Sequence, residues 1–268
     1  MQIRANCKVN AGLRVRRKRD DGYHEIETLF YPVHGLYDLL EVEKTDGERG
    51  IELTTSGIDI DCNDEDNLIV KAYRRMAEKY EQVGGIRVRL DKRVPFGAGL
   101  GGGSSDAAHT VMAVNELFGL GLSKEEMAEA VRPIGADCAF FVYNKPCIAT
   151  GIGDKLEPTD FTWSGKRMVI IKPEVSVSTR EAYAGIHLHD EPFDLRVNDF
   201  EETVFERYPI LGRAKQMLTD AGAEYALMSG SGSVVYGVFE KDTESGSLPL
   251  DRLINKEFAA MVIFDDTL

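Results

Sequence analysis

"PFGAGLGGGSSDAA", Pro95 to Ala108, places five glycines (Gly97, Gly99, Gly101, Gly102 and Gly103) in one loop and then passes at once into helix-forming residues. Glycine loses more backbone entropy on folding than any other residue. A loop this dense in it marks a chain that needs positive φ angles or lets another group approach its backbone closely. A helix opening straight from such a loop offers free N–H groups and the positive end of its dipole, which together bind phosphate. Ser104 and Ser105 stand at the junction, one suited to cap the helix and the other to meet a phosphate oxygen or a magnesium ion.

Other glycine-loop chemistries fail on context. A Walker A loop needs a lysine and then Ser or Thr after its last glycine, and this loop ends "GGSSD". "GAGLGG" matches G-x-G-x-x-G through Gly97, Gly99 and Gly102. A dinucleotide site wants that pattern directly after a buried parallel strand, with an acidic residue closing the next strand. Here Pro95 intervenes, the preceding strand is polar on one face, and Glu116 falls in a helical pattern. "HRD" and "DFG" are absent, which removes the protein-kinase reading.

Working outward, "IRVRLDKRV" before the loop alternates Ile86, Val88 and Leu90 against Arg87, Arg89 and Asp91, the period of a half-buried strand. "YDLLEVEKT" and "IELTT" upstream also read as strands. Between them "DNLIVKAYRRMAEKY" sets Leu68, Ile69, Ala72, Tyr73, Met76 and Tyr80 on one helical face, with Asp66 as its cap. After the loop, Ala107, Ala108, Val111, Met112, Leu117 and Phe118 keep helical spacing up to a C-terminal cap at Gly119. Ser123 and Glu126 form a capping box for a further helix that stops near Pro133. From about Trp163 the pattern restarts: strand "MVIIK", helices "NDFEETVFERY" and "PILGRAKQMLTDAG", strands "YALM" and "VVYGVF", a short helix near "LDRLINKE" and strand "AAMVIF". That order is a split β-α-β unit around a central hairpin, a small α/β sandwich whose hairpin carries the glycine turn "SGSGS", Ser229 to Ser233.

With 268 residues the chain can bury a substantial core and suggests two domains. A formal net charge of -13 and a sequence pI near 4.9 disfavour nonspecific nucleic-acid binding. The basic run "RVRRKR", Arg14 to Arg19, reads as a solvated hairpin turn that helps attract an anionic small substrate. Cys7, Cys62, Cys138 and Cys147 are far apart and form no C-x-x-C pair, so they read as free thiols and not as a zinc site. No apolar run spans a bilayer and "MQIRANCKVN" lacks the core of a signal peptide, so a cytoplasmic protein without membrane contact is expected.

"PFGAGLGGGSSDAA" resembles the P-x-x-x-G-L-G-x-x-S-S loop of the GHMP kinases. "KVN" (Lys8 to Asn10), "DDGYHEIETLF", "EDNLIVKA", "IGADCAFF" and "GIGDKLEP" extend the resemblance, in order, over nearly the whole chain. "DGYH" and "GAD" are its most specific elements. They resemble the branch acting on 4-diphosphocytidyl-2-C-methyl-D-erythritol and speak against a homoserine or mevalonate kinase. Two positions depart from the usual pattern: the start reads "ANCKVN" for P-A-K-L-N, and Ala139 stands at the usual proline of G-A-D-V-P.

The resemblance implies an α+β GHMP kinase fold of two domains. Residues 1–160 would form a ribosomal-protein-S5-domain-2-like domain and residues 161–268 a ferredoxin-like α/β sandwich. It implies ATP with Mg²⁺ as donor, bound by Pro95, Gly97, Ala98, Gly99, Leu100, Gly101, Gly102, Gly103, Ser104 and Ser105, with Asn67 and Lys92 as weaker contacts that equally suit a helix cap and a solvated charge. It implies Asp137 as general base beside Lys8, which steadies the developing alkoxide and the γ-phosphate. Retention of both residues speaks against a catalytically dead nucleotide sensor on the same fold. For the acceptor it implies Asn10, Tyr23 and His24, with Tyr183 either stacked on cytosine or packed in the core. A monomer or weak homodimer is expected.

Overall fold

The computed structural model describes residues 1–60, 62–241 and 261–265. The chain divides into two compact units that interleave along the sequence. The first comprises Met1–Cys7, Tyr37–Phe96 and Gly101–Lys145; the second comprises Lys8–Leu36, Gly97–Leu100 and Pro146–Leu268. A single cut at 160/161 does not describe this division, because the two longest strands, β1 (Gln2–Lys18) and β2 (His24–Lys44), each contribute residues to both units.

In the first unit the later part of β2 pairs antiparallel with β4 (Ile86–Lys92), from Leu39 opposite Asp91 to Lys44 opposite Ile86. β3 (Ile51–Gly57) lies parallel to β4. Ile86, Val88 and Leu90 are buried as their alternation predicts. Helix α1 (Leu68–Lys79) buries Ile69, Ala72, Tyr73 and Met76, and its cap falls on Asn67, one residue beyond Asp66: Asn67 Oδ1 accepts from the Ile69 N–H at 2.9 Å. α2 (Gly102–Phe118) packs on α1 and ends at Gly119, whose φ of +62° is the left-handed conformation that a side chain resists. α3 (Lys124–Val131) carries the capping box of Ser123 and Glu126, and α4 (Cys138–Tyr143) packs its buried Phe140 and Phe141 among the helices.

In the second unit the first part of β2 pairs with β5 (Cys147–Thr150), and β5 with β6 (Lys155–Pro158). A separate antiparallel sheet joins β7 (Lys166–Lys172), β8 (Tyr225–Met228), β9 (Val235–Glu240) and β10 (Met261–Asp265) in the order β10-β7-β9-β8, the ferredoxin-like order. Helices α5 (Thr179–Ala184), α6 (Phe200–Arg207) and α7 (Pro209–Asp220) connect β7 to β8. Leu13, Val15 and Ile26 of the N-terminal hairpin share one core with Phe200, Leu211 and Leu218. The expected short helix near "LDRLINKE" lies outside the described residues.

The basic run is strand, not turn: Arg14 to Lys18 belong to β1. Its guanidinium groups are neutralised, Arg14 by Asp199 at 2.8 Å, Arg16 by Glu27, Arg17 by Glu25 and Arg19 by Asp21. Cys7, Cys138 and Cys147 are buried free thiols and Cys62 is exposed. Among the described residues no helix is long and apolar enough to cross a membrane.

Candidate active site

The glycine loop is shaped from the second unit by "SGSGS". Gly97 and Gly99 have φ of +62° and +81°. The Ser229 hydroxyl donates to the Gly99 carbonyl at 2.8 Å, and the Val234 N–H donates to the Ala98 carbonyl at 3.2 Å. A Cβ on Gly99 would fall inside contact distance of the Ser229 carbonyl oxygen, so this position excludes every side chain. The Lys8 N–H donates to the Leu100 carbonyl at 3.0 Å, which fastens β1 to the same four residues. The "SGSGS" turn is visible in the sequence, but its packing on a loop 130 residues away has no local signal.

Lys8 and Asn10 alternate along β1 on the face opposite Cys7, Val9 and Ala11, and all five are buried. Lys8 Nζ donates to Asn10 Oδ1 at 2.6 Å and lies 4.7 Å from the centre of the Phe30 ring. Asn10 Nδ2 donates to Thr28 Oγ1 at 3.0 Å, and the Asn10 backbone N–H and carbonyl are held by the hydroxyls of Ser229 and Tyr236. Asn10 thereby orients the lysine ammonium, with each of its own polar groups fixed in turn.

The remainder of the loop belongs to the first unit. Gly101, with φ of +68°, is the N-cap of α2 and offers no side chain, so neither serine caps the helix. Ser105 is fully buried and donates to the Asn6 carbonyl at 2.6 Å, whereas Ser104 is half-buried and its side chain hydrogen-bonds to Cys138. A Cβ on Gly135 would come 3.6 Å from Ser104 Oγ and 3.2 Å from Cys138 Sγ, so the "GAD" turn lies against the start of α2. Asp137 is the N-cap of α4, half-buried, and makes no side-chain cap bond. Burial pushes the neighbouring Cys138 thiol up to about 12, which makes it inert. Ala139, at the usual proline, is fully buried in the first turn of α4.

Lys92 is neither a solvated charge nor a group open to a nucleotide. Its ammonium is buried between Asp38 at 2.5 Å and Asp106 at 2.7 Å, directly under Gly102, where a Cβ would come 3.1 Å from Nζ. Burial alone would lower its pKa; the facing carboxylates of Asp106 and Asp38 outweigh that and hold it above its ordinary value. Asp38 also accepts from the Arg93 and Val94 N–H groups. The triad thus ties the end of β4, the start of α2 and Asp38 of β2 together beneath the loop. Lys92 sits in a strand pattern that assigns it to no partner, because both carboxylates are distant in sequence.

Tyr23, His24 and Tyr183 line one cavity of about 810 Å³ in the second unit, together with Lys18, Asp21, Thr179, Arg180 and Leu188. The rings of His24 and Tyr183 stack with centroids 4.6 Å apart and planes 18° apart, and Tyr183 meets Phe200 edge-on at 4.8 Å. The Tyr183 face is therefore covered by His24, while Tyr23 is 63% exposed. Burial, and then the positive charge of Lys18, lower the His24 pKa, so the imidazole is neutral at neutral pH. Among the described residues no three His, Cys, Asp or Glu side chains gather as a metal cage.

Residues 67–145 match the family described as the GHMP kinases N terminal domain, and residues 184–248 match the GHMP kinases C terminal. The chain is 43% identical to a 4-diphosphocytidyl-2-C-methyl-D-erythritol kinase of Bacteroides thetaiotaomicron, covering 91% of this chain and 93% of that protein. It is 40% identical to the protein of the same description from Bacteroides fragilis, over 98% of both. Its structure is similar to a crystal structure of 4-(cytidine 5'-diphospho)-2C-methyl-D-erythritol kinase, with a TM-score of 0.83 at 31% identity over 98% of both chains. It shares its fold with the mevalonate kinase of Methanococcus jannaschii, with a TM-score of 0.73 at 16% identity over 99% and 98% of the two chains.

Proposed function

Because the chain belongs to the 4-diphosphocytidyl-2-C-methyl-D-erythritol kinases of the GHMP kinase family, we propose that it transfers the γ-phosphoryl group of ATP to the 2-hydroxyl of 4-diphosphocytidyl-2-C-methyl-D-erythritol, a step toward isoprenoid precursors. The observation that carries the choice of acceptor is the cavity built by "DGYH", in which a neutral imidazole is held by an aromatic ring.

Phosphoryl transfer asks a protein for in-line positioning and charge stabilisation more than for covalent chemistry. Gly97 to Gly103 bring backbone N–H groups to the phosphates at the start of α2. Asp137, at the N-cap of α4, takes the proton of the acceptor hydroxyl. Lys8, oriented by Asn10, supplies positive charge to the oxygen that loses it. Among the described residues no carboxylate cage is present; Mg²⁺ keeps waters and draws ligands from the phosphates, and Ser104 is the hydroxyl that would meet it. Bound there, the ion would neutralise negative charge on the phosphates of ATP.

At the nucleobase, neutral His24 donates to cytosine N3, a backbone carbonyl accepts from N4, and Tyr23 covers the ring face. Tyr183 acts from the other side of His24, fixing the imidazole and not the base. Uracil reverses the donor and acceptor pattern and leaves both groups unpaired, which a buried site rejects by as much as ~10⁴. A coupled assay of ADP release tests this with the cytidine substrate, its uridine analogue, mevalonate and homoserine. The expected result is turnover of the cytidine compound with a large loss in kcat/KM for the uridine one. Equal values for those two, or turnover of mevalonate or homoserine alone, would overturn the reading.

A further inference from the structure

The cavity that carries His24 also holds the unneutralised charge of the basic run. Four of the five cations between Arg14 and Arg19 face a carboxylate, and Lys18 has none among the described residues. Lys18 closes β1 at the cavity wall, near enough to His24 to lower its pKa. Arg180, in α5, lines the same cavity and likewise has no carboxylate partner among the described residues. The acid on this wall, Asp21, is already taken by the Arg19 guanidinium at 2.7 Å and by the Tyr23 N–H at 3.1 Å. In a chain of formal net charge -13, whose other arginines are largely paired, this cavity therefore presents two open cations and no open anion.

We propose that Lys18 and Arg180 bind the diphosphate of a nucleoside diphosphate whose base is held at His24, and that they set the enzyme's preference for that diphosphate over the free nucleoside. The assignment rests on the nucleobase reading above and adds to it the groups that recognise the charged middle of the acceptor. Phosphate oxygens match an ammonium as a point charge and a guanidinium as a two-pronged donor, and the two residues come from different elements of one unit. Lys18, Thr179 and Arg180 are exposed, so substitutions there leave the core intact.

Calorimetric titration with cytidine, cytidine monophosphate and cytidine diphosphate tests the assignment. A saturating non-hydrolysable ATP analogue is kept present so that the glycine loop is already filled. In the wild type each added phosphate is expected to tighten binding, and the diphosphate to bind at least about tenfold tighter than cytidine, as charge-assisted hydrogen bonds give. In Lys18→Gln with Arg180→Gln that gain is expected to shrink toward unity while cytidine affinity stays the same, which also shows that the variant is folded. An undiminished gain in the double variant would overturn the proposal and leave the nucleobase reading standing. Failure of the wild type to bind any of the three would remove the nucleobase reading, and the diphosphate assignment with it.

Discussion

Asp106 holds one carboxylate oxygen against Lys92 and leaves the other, Oδ1, buried with no hydrogen-bond partner among the described residues. Burial pushes its pKa up to about 7 against the pull of Lys92, with the Asp38 charge adding to the rise. An unfolded aspartate releases its proton near ~3.9, so between the two values the folded chain binds more protons than the unfolded one, and stability falls as pH rises through that window. Asp106→Asn has no proton to lose. Urea unfolding at about pH 5 and about pH 8 should show the wild type losing stability relative to this variant over the interval; a constant difference between them would mean that Asp106 titrates as an ordinary surface acid. Removing the cation instead, in Lys92→Met, strands two carboxylates under the loop and should cost about 3–5 kcal/mol. Asp137 carries a different expectation, since its carboxylate supports no cap. Asp137→Asn should keep the unfolding midpoint and ATP affinity and lower kcat by ~10²–10⁴, the share of a positioned base. A near-normal kcat at saturating substrates would leave catalysis to positioning alone.

At the scale of elements, α1 decides between two uses of one side chain. Asn67 spends its Oδ1 on the Ile69 N–H, so a nucleotide contact by the same side chain would fall to its Nδ2. Asn67→Asp preserves the acceptor and removes the donor; Asn67→Ala removes both. The aspartate variant should unfold like the wild type and show a raised KM for ATP, whereas the alanine variant should also lose about 1 kcal/mol of stability. An unchanged KM in the aspartate variant would confine Asn67 to capping. Helices such as α1, α2 and α3, and the ferredoxin-like order of β7 to β10, were legible because caps and apolar periods are local signals. Less legible was β1. From Ile3 to Val15 its odd positions are apolar and its even positions polar except Gly12, but Asn6, Lys8 and Asn10 are buried nearly as deeply as Val9 and Ala11, so the polar face does not face solvent there. Helix α4, six residues and largely buried, is too short to show a period. The Lys92 triad, the Ser229 brace and the stack of His24 on Tyr183 join residues far apart in sequence, and no window of the chain contains them.

Over the whole molecule the charge is set against the substrates. A formal net charge of -13 repels both ATP and a nucleoside diphosphate, while Lys18 and Arg180 attract the latter at short range. The two effects have different reach. Screening shortens to about 8 Å at physiological salt, and because Lys18 and Arg180 are exposed, added salt weakens their attraction along with the repulsion summed over the surface. At low salt both are near full strength, and the nearer pair wins because Coulomb energy falls with distance. Raising salt from about 0.02 M to about 0.2 M should therefore lower kcat/KM for the acceptor in the wild type, as the local attraction weakens. With Lys18→Gln and Arg180→Gln combined, the surface repulsion outweighs the attraction left for that ligand, and the same salt increase should raise kcat/KM. The sign of the slope is thus the readout, and it is independent of how far each variant drops in absolute rate. Steady-state kinetics at four salt concentrations, with the magnesium–ATP complex held saturating, would measure it. Slopes of the same sign in both proteins would mean that the acceptor responds to the field of the whole surface and not to these two cations.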